Sequence, residues 1–397
     1  MSEIVDQAQC TGCGACLAGC PVTAISMDEG PNGFSHAVID DDACIHCNRC
    51  TKACPVLNPP ELRSQAAVYA AQSASRDVLL TSASGGAFFE IARAFLRDGS
   101  TVFGAAMNIE HSVARVEHEG ASDEAGLARL QGSKYVLGAA HPVFREVERS
   151  LKAGERVLFS GLPCQVAGLY GYLGRDYDNL ITVDVFCHGN TSPRHFNLYL
   201  SYLAKKHHHD IVGYVFRDKA RGVGYKPKYL LANGRTVRDT ALQEAYWYLF
   251  QYAKFFRDSC HTCPYACEQR VGDLSVGDFW GIERERPELL APNGGPLDPK
   301  GGISAVLANS KKGHELLRAA ELTLEECVIS NVAAAGEAVR TPQPKPADRE
   351  RVLALFREGD YKKIKSYCVR QMGTNYLVDL IYDTAPVQLL RKLLGRA

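Results

Sequence analysis

The chain has no surplus of either charge sign. Lys plus Arg and Asp plus Glu each number 45, so the overall balance does not call for a nucleic-acid partner, although a local basic patch is not excluded. No apolar run approaches the length of a membrane span, about 20 residues. The dinucleotide fingerprint is missing too. No G-x-G-x-x-G follows a strand-like run, and Gly222-Val223-Gly224 lacks the third glycine, which argues against a nicotinamide site. The first cysteine pattern begins at Cys10, so no signal peptide or twin-arginine leader is expected ahead of it. A disulfide framework is also unlooked for. Of the fifteen cysteines, eight fall in one repeated pattern and five more sit where chemistry is plausible. Thiols used this way, without an export signal, indicate a reducing cytoplasm.

What the sequence does have is a doubled motif. Cys10, Cys13, Cys16 and Cys20 precede Pro21, and Cys44, Cys47, Cys50 and Cys54 precede Pro55. Each half reads C-x2-C-x2-C-x3-C-P, the two-cluster ferredoxin run in which the fourth cysteine of each half serves the other cluster. One 4Fe–4S cluster is therefore expected on Cys10, Cys13, Cys16 and Cys54, and another on Cys44, Cys47, Cys50 and Cys20. A pair of zinc knuckles is the plainer alternative. A tetrahedral ion needs four ligands, and a doubled three-plus-one pattern fits it poorly.

The rest of the chain divides around this motif. Residues 1–57 read as an α+β ferredoxin-like domain, with strands at Ala24–Met27 and Ala37–Asp40 across the turn Gly30-Pro31-Asn32-Gly33. Residues 58–65, with Pro59-Pro60, read as a stiff linker. From 66 to 190 strand-like runs alternate with helical ones. The strands are Ala67–Ala71, Thr101–Ala106, Val113–His118, Arg156–Ser160 and Leu180–Phe186; the helices are Ala87–Leu96, Val143–Leu151 and one from Gly161 to Tyr172. This alternation predicts an α/β domain with a mostly parallel sheet. Residues 191–397 form a smaller α+β C-terminal part. Its expected elements are antiparallel strands Ile211–Arg217 and Lys228–Thr236 with an Asn233-Gly234 turn, a helix Leu242–Phe255, a strand Ile303–Ala308 and a helix Gly313–Leu322. Ligands of parallel sheets gather beyond the carboxyl ends of the strands, where Gly161 and Cys187 fall.

A third cysteine group, Cys260, Cys263 and Cys267, offers three ligands on one loop. A third cluster completed by a distant cysteine, a zinc site, or thiols packed as small apolar groups all answer to it. Cys187 and Cys164 compete for the fourth place. Cys187 is preferred because it ends a strand and His188-Gly189 turns it inward. Cys164 follows Pro163 at a helix start, which lowers a thiol's pKa and suits a ligand or a reactive thiol equally. Cys327 and Cys368 have no partners in sequence and read as structural.

Several longer pieces resemble one family. They are Thr81–Gly86, Gly132–Val136, Phe159–Gln165, Asp184–Gly189, Cys260–Cys267 and Val271–Gly281. Together they are similar to the coenzyme F420 hydrogenase/dehydrogenase beta-subunit family, in the version with a fused N-terminal ferredoxin. The resemblance implies an FAD-bearing α/β domain with its own 4Fe–4S cluster, and electron or hydride traffic through the flavin. The leading expectation is an oxidoreductase that moves electrons between a ferredoxin-type donor or other electron-transfer protein, the clusters, FAD and a small organic substrate. A deazaflavin coenzyme is one such substrate. The rival expectation is a non-catalytic electron-transfer subunit docked on a larger redox enzyme. A homo-oligomer is a further possibility.

Residues can be offered for the flavin. The loop Ser84, Gly85 and Gly86 precedes a helix whose free N–H groups suit a pyrophosphate; an ordinary helix cap is the plain alternative. Ser133, Lys134, Tyr135, Gly161, Pro163 and Cys164 are the other candidate cofactor contacts. Lys134 and His188 are the candidate catalytic residues, against a solvated lysine and a loop histidine bonded to backbone. Asp273 and Asp278 read as turn formers or substrate contacts. His207-His208-His209 reads as a solvated run, and Val387–Arg396 as an amphipathic helix.

Overall fold

The computed structural model describes residues 2–96, 100–239 and 244–373; the Val387–Arg396 helix expected from sequence lies outside them. Apolar runs build the centre. In Val157–Gly161 (β7) and Leu180–Val185 (β8) nearly every residue is buried, as expected of strands covered on both faces. Thr101–Glu110 (β5) and Val113–Ala121 (β6) form a hairpin at one edge. The alternation of buried and exposed residues along β6 marks a strand with one wet face.

The large sheet is completed from far away in sequence. Its order is β14, β4, β13, β12, β8, β7, β5, β6, with Ala67–Ser73 as β4, Leu274–Asp278 as β12, Ser304–Ala308 as β13 and Leu322–Cys327 as β14. Only β12–β8, β8–β7 and β7–β5 are parallel; the other four of its pairings are antiparallel. The mostly parallel sheet expected from the alternation is therefore corrected to a mixed one. The reason is topological: β13 returns directly beside β12 with no crossover helix long enough to reverse it. Two small antiparallel sheets accompany it. One joins Ser2–Glu3 (β1), Ser35–Ile39 (β3) and Ile25–Glu29 (β2); the other joins Thr236–Arg238 (β11), Lys228–Leu231 (β10) and Ile211–Val215 (β9).

The Pro193–His207 helix packs over β6 and shares an aromatic core with β9, β10, the Ala245–Gln251 helix and the helices Arg349–Glu358 and Tyr361–Met372. Cys368 is fully buried there. His207 bonds the Tyr229 hydroxyl at 2.8 Å, and His208 ends the helix with a left-handed φ of 56°, so the histidine run serves as a helix terminus.

The segment 1–57 is seated on the larger part. The Pro163–Leu173 helix lies against the short helices Ala15–Gly19 and Arg49–Ala53. Two glycines permit this. A Cβ on Gly168 would stand 2.9 Å from Cys13 Cβ, and one on Gly171 would stand 2.3 Å from the Ala53 carbonyl oxygen. Arginines fasten the rest. Arg257 donates to the Cys10 carbonyl at 3.0 Å and the Ser35 carbonyl at 2.8 Å. Arg145 donates to the carbonyls of Ala18 and Cys20.

Candidate functional site

Three groups of cysteine emerge. A small cavity is lined by Cys10, Cys13, Cys16 and Cys54 together with Thr11, Met27 and Val56. Cys20 packs near Cys44 and Cys50 in an apolar cluster that also includes Cys16, while Cys47 is exposed. The paired helices Ala15–Gly19 and Arg49–Ala53 bring each run's last cysteine toward the other run.

The third group is assembled by the sheet. Cys164 opens the helix after β7, Cys187 follows β8, and Cys260 and Cys263 lie on a loop before β12; all four line one cavity. Both competitors for the fourth place are therefore present. Cys267 does not line this cavity. Its thiol points to the carbonyls of Gln269 at 3.1 Å and Pro264 at 3.4 Å. The spacing C-x2-C-x3-C does not reveal this, because the turn that diverts Cys267 is set by a distant partner. Arg270 is buried against Asp184 at 2.6 Å and donates to the carbonyls of Tyr265 and Cys267. Asp184 also accepts from Gly272 N at 2.8 Å. This ion pair fixes the loop on the end of β8.

Four thiols around one cavity are the donor set that a 4Fe–4S cluster takes. Burial pushes the Cys13 and Cys260 thiols up to about 11, and that of Cys164 well above the ordinary range, with neighbouring cysteines adding to Cys164. Unliganded, these groups are neutral thiols; as thiolates they would need a cationic centre to share their charge.

Beside the Cys164 cavity opens one of about 620 Å³, within the ordinary range for bound cofactors. Leu162, Cys187, His188, Gly189 and Asn190 line both. The large cavity lies where β7, β8 and β12 end, as their parallel arrangement leads one to expect. The start of the Ala87–Leu96 helix forms another wall through Gly86, Ala87, Phe88 and Phe89.

The candidate flavin contacts divide. Ser84, Gly86, Ser133, Lys134, Tyr135 and Gly161 line the large cavity. Gly85 does not: its N–H donates to Ser304 Oγ at 2.9 Å, and an added Cβ would meet the Ala71 carbonyl oxygen at 2.4 Å. It lets the loop cross the sheet. Pro163 and Cys164 line the cysteine cavity instead. Lys134 reaches the wall, but its ammonium donates to the carbonyls of Arg129, Leu130 and Gln131 at 3.2, 2.8 and 3.0 Å. It thereby caps the Glu124–Leu130 helix. Burial pushes its pKa down to about 7, while the three carbonyls favour the charged form. His188 stands between the two cavities, its Nε2 3.2 Å from the Gln251 carbonyl and its ring against Phe250 and Phe256. Asp273 is structural, with Oδ2 accepting from Thr182 N and Oγ1 at 2.9 and 3.0 Å.

Sequence reasoning missed His118 and Arg217. His118 stacks on Phe159 and its Nε2 lies 2.9 Å from the Ser160 carbonyl; burial lowers its pKa to about 4. Alternation along β6 placed it inward, but nothing marked it as facing a cavity.

Comparison with known proteins agrees with this arrangement. Residues 154–330 match a family described as the C terminus of the coenzyme F420 hydrogenase/dehydrogenase beta subunit. Residues 9–58 match a "4Fe-4S dicluster domain", and residues 36–90 match a second description of the same kind. Residues 154–330 belong to that beta-subunit family, behind an N-terminal 4Fe–4S dicluster domain. It is a family of oxidoreductase type. No curated protein matches the sequence. A chain from the structure titled "Xenon derivatization of the F420-reducing [NiFe] hydrogenase complex from Methanosarcina barkeri" is 18% identical, with 79% of this chain and 94% of that one covered and a TM-score of 0.43. No helix among the described residues is long and apolar enough to cross a membrane.

Proposed function

We propose that the protein is an iron–sulfur flavoprotein oxidoreductase that passes electrons between a ferredoxin-type carrier and a small organic substrate, with a deazaflavin coenzyme the class suggested by the family's description. The observation that carries this reading is the shared wall: Cys187 and His188 border both the cysteine cavity and the large one. Cys10, Cys13, Cys16 and Cys54 would hold one 4Fe–4S cluster, and Cys20, Cys44, Cys47 and Cys50 another. Cys164, Cys187, Cys260 and Cys263 would hold the third. FAD, when bound in the large cavity, would supply the exchange between one-electron and two-electron chemistry.

The chain's own residues suit these roles. The start of the Ala87–Leu96 helix offers N–H groups and a positive dipole end to a pyrophosphate. Ser133, Gly161 and Gln165 supply polar contacts along the cavity wall. The Pro163–Leu173 helix begins in the Cys164 cavity and rests on Cys13 through Gly168, so one rigid element spans two cysteine groups. Tyr265, beside Cys164, Cys263, Cys13 and Cys54, fills the space between them. His188 is placed to hold or pass a proton at the cavity floor.

The alternative reading, an electron-transfer subunit, has one observation of its own. Val22, Ile45 and Leu57 are exposed beside the dicluster cysteines, a rim on which a protein partner could sit. The deep cavity favours the enzyme reading. The deciding experiment is anaerobic purification with reconstitution, followed by iron and flavin counts. About twelve iron atoms and one noncovalent FAD per chain are expected, with the flavin reducible through the clusters. A folded protein holding about twelve iron atoms and no flavin would leave only the electron-transfer reading.

A further inference from the structure

One corner of the large cavity is built for an anion. Arg217 lines it with a side chain only 2% exposed. Its Nη1 is held by Asp278 and its Nε approaches the Gly224 carbonyl at 3.4 Å. Its Nη2 is buried and has no hydrogen-bond partner among the described residues, with the Tyr135 hydroxyl close to the guanidinium. An arginine cannot shed its charge, and leaving a buried donor unpaired is costly. The guanidinium lies 5.3 Å from the ring centre of Tyr225 and 5.5 Å from that of Trp280. Those two rings face each other at 5.9 Å and 32°. Both line the cavity, and Trp280 is 39% exposed. Lys219 is turned away from this corner, its ammonium donating to the carbonyls of Leu79, Ser84 and Gly301.

We infer that Arg217 Nη2 reads a carboxylate or phosphate oxygen carried by a planar organic substrate whose ring lies against Trp280 and Tyr225. This rests on the oxidoreductase reading and makes Arg217 a specificity-determining residue of it. A bound flavin's own phosphates have a separate place, at the helix start formed by Gly86 to Phe89 on another wall. Asp278 serves as a positioning residue: it takes one edge of the guanidinium and leaves the other toward the cavity.

The test is calorimetric titration of the reconstituted full-length protein with naphthalene-2-carboxylate and, separately, with its neutral carboxamide. The parent protein is expected to favour the carboxylate by roughly tenfold, the worth of one charged hydrogen bond. Arg217→Met should bring the ratio to about one, Arg217→Lys should keep part of it, and Trp280→Ala should weaken both probes without changing the ratio. Arg217→Met strands Asp278, so the double variant Arg217→Met, Asp278→Asn removes the pair together and keeps the comparison readable. Flavin is counted in every sample. Equal affinities in the parent overturn the inference, as does a ratio that survives Arg217→Met. Loss of flavin along with the ratio overturns it too, since Arg217 would then serve the cofactor. A parent that folds without flavin removes the flavin reading, yet still reports on Arg217 through the two probes.

Discussion

In the dicluster segment all eight cysteines fall between Cys10 and Cys54, on two short helices, the loops before them and the residues that cap their ends. In the large domain Cys164, Cys187, Cys260 and Cys263 arrive from the ends of β7 and β8 and from a loop before β12. The first arrangement is local, and a small segment with few apolar side chains depends on its clusters for much of its stability. The second is imposed by a sheet that would exist without it. The difference teaches where each site is vulnerable. Removing a ligand from the first threatens the fold of the segment. Removing one from the second should empty a cavity and leave the fold intact.

The comparison is sharpened most by cysteine variants. Cys164→Ala, Cys187→Ala, Cys260→Ala and Cys263→Ala are each expected to lower the iron count from about twelve to about eight. Thermal stability should change little. Cys267→Ala should retain the full count. An iron loss in Cys267→Ala equal to that in Cys263→Ala would return Cys267 to the ligand set. In the dicluster segment, Cys20→Ala is expected to damage the cluster held by Cys44, Cys47 and Cys50, together with the folding of residues 1–57.

A second test breaks the rigid support of the large-domain site. Arg270 and Asp184 are 1% and 0% exposed. Arg270→Met leaves a buried carboxylate with only the Gly272 N–H, a loss of about 3–5 kcal/mol by the usual cost of a half-removed buried pair. Urea unfolding measures it. The same variant should loosen the Cys260–Cys263 loop, read as weaker iron retention during chelator challenge. A loss below about 1 kcal/mol, in the range of a surface pair, would mean that the pair does not hold the loop.

The contact between the two regions comes third. Gly168→Val places carbon where Cys13 now packs, 2.9 Å from its Cβ. Overpacking of this kind costs about 1–3 kcal/mol, and part of the strain should be relieved by displacing the dicluster segment. The expected signature is slower electron passage from the N-terminal clusters to the large domain, with iron and flavin contents unchanged. Gly174→Ala, which meets no neighbour but is strained by a left-handed φ of 67° on the same chain segment, controls for destabilisation that leaves the contact with Cys13 in place. Unaltered transfer in Gly168→Val would show that this helix face does not set the distance.

These sites differ in how far the sequence exposed them. The doubled motif was legible because its ligands are local and the spacing itself carries the geometry. Strands β4, β5, β7 and β8 were legible from their apolar runs, and β6 from its alternation. The sheet's mixed character was not, since no run length records whether β13 enters beside β12 in the same or the opposite sense. That Cys267 stands off the shared cavity was not legible from its spacing, because Arg270 sets the loop there. The Pro193–His207 helix went unread although Ser192 caps it and Pro193 opens it, signals that were available. Arg217 could not be found from sequence, because its meaning depends on Asp278 and Trp280 across the cavity.

The smallest expected effect lies at the seam between the two regions and depends on pH. His195, on the Pro193–His207 helix, is 1% exposed. Its ring stacks near Phe255 and Phe356 and meets the edge of Phe34 from the dicluster hairpin at 5.5 Å. Thr191 Oγ1 lies 3.0 Å from Nδ1. Burial lowers its pKa from 6.5 to about 3, with Arg194 and Arg349 acting in the same direction and a hydrogen bond to the Asn32 backbone opposing. The sign follows from proton counting. Between pH 6.5 and about 3 the unfolded chain carries a proton on this residue and the folded chain does not, so stability rises with pH across that window. It is fully present above 6.5 and falls as the solution is acidified, by about 1.4 kcal/mol per pH unit at most. His195→Gln should remove this component, so that the difference in unfolding free energy between parent and variant narrows steadily from pH 6.5 to pH 5. Parallel stability curves for the two proteins over that range would mean that His195 is protonated at the seam, and that Phe34 and the dicluster hairpin do not seal it from water.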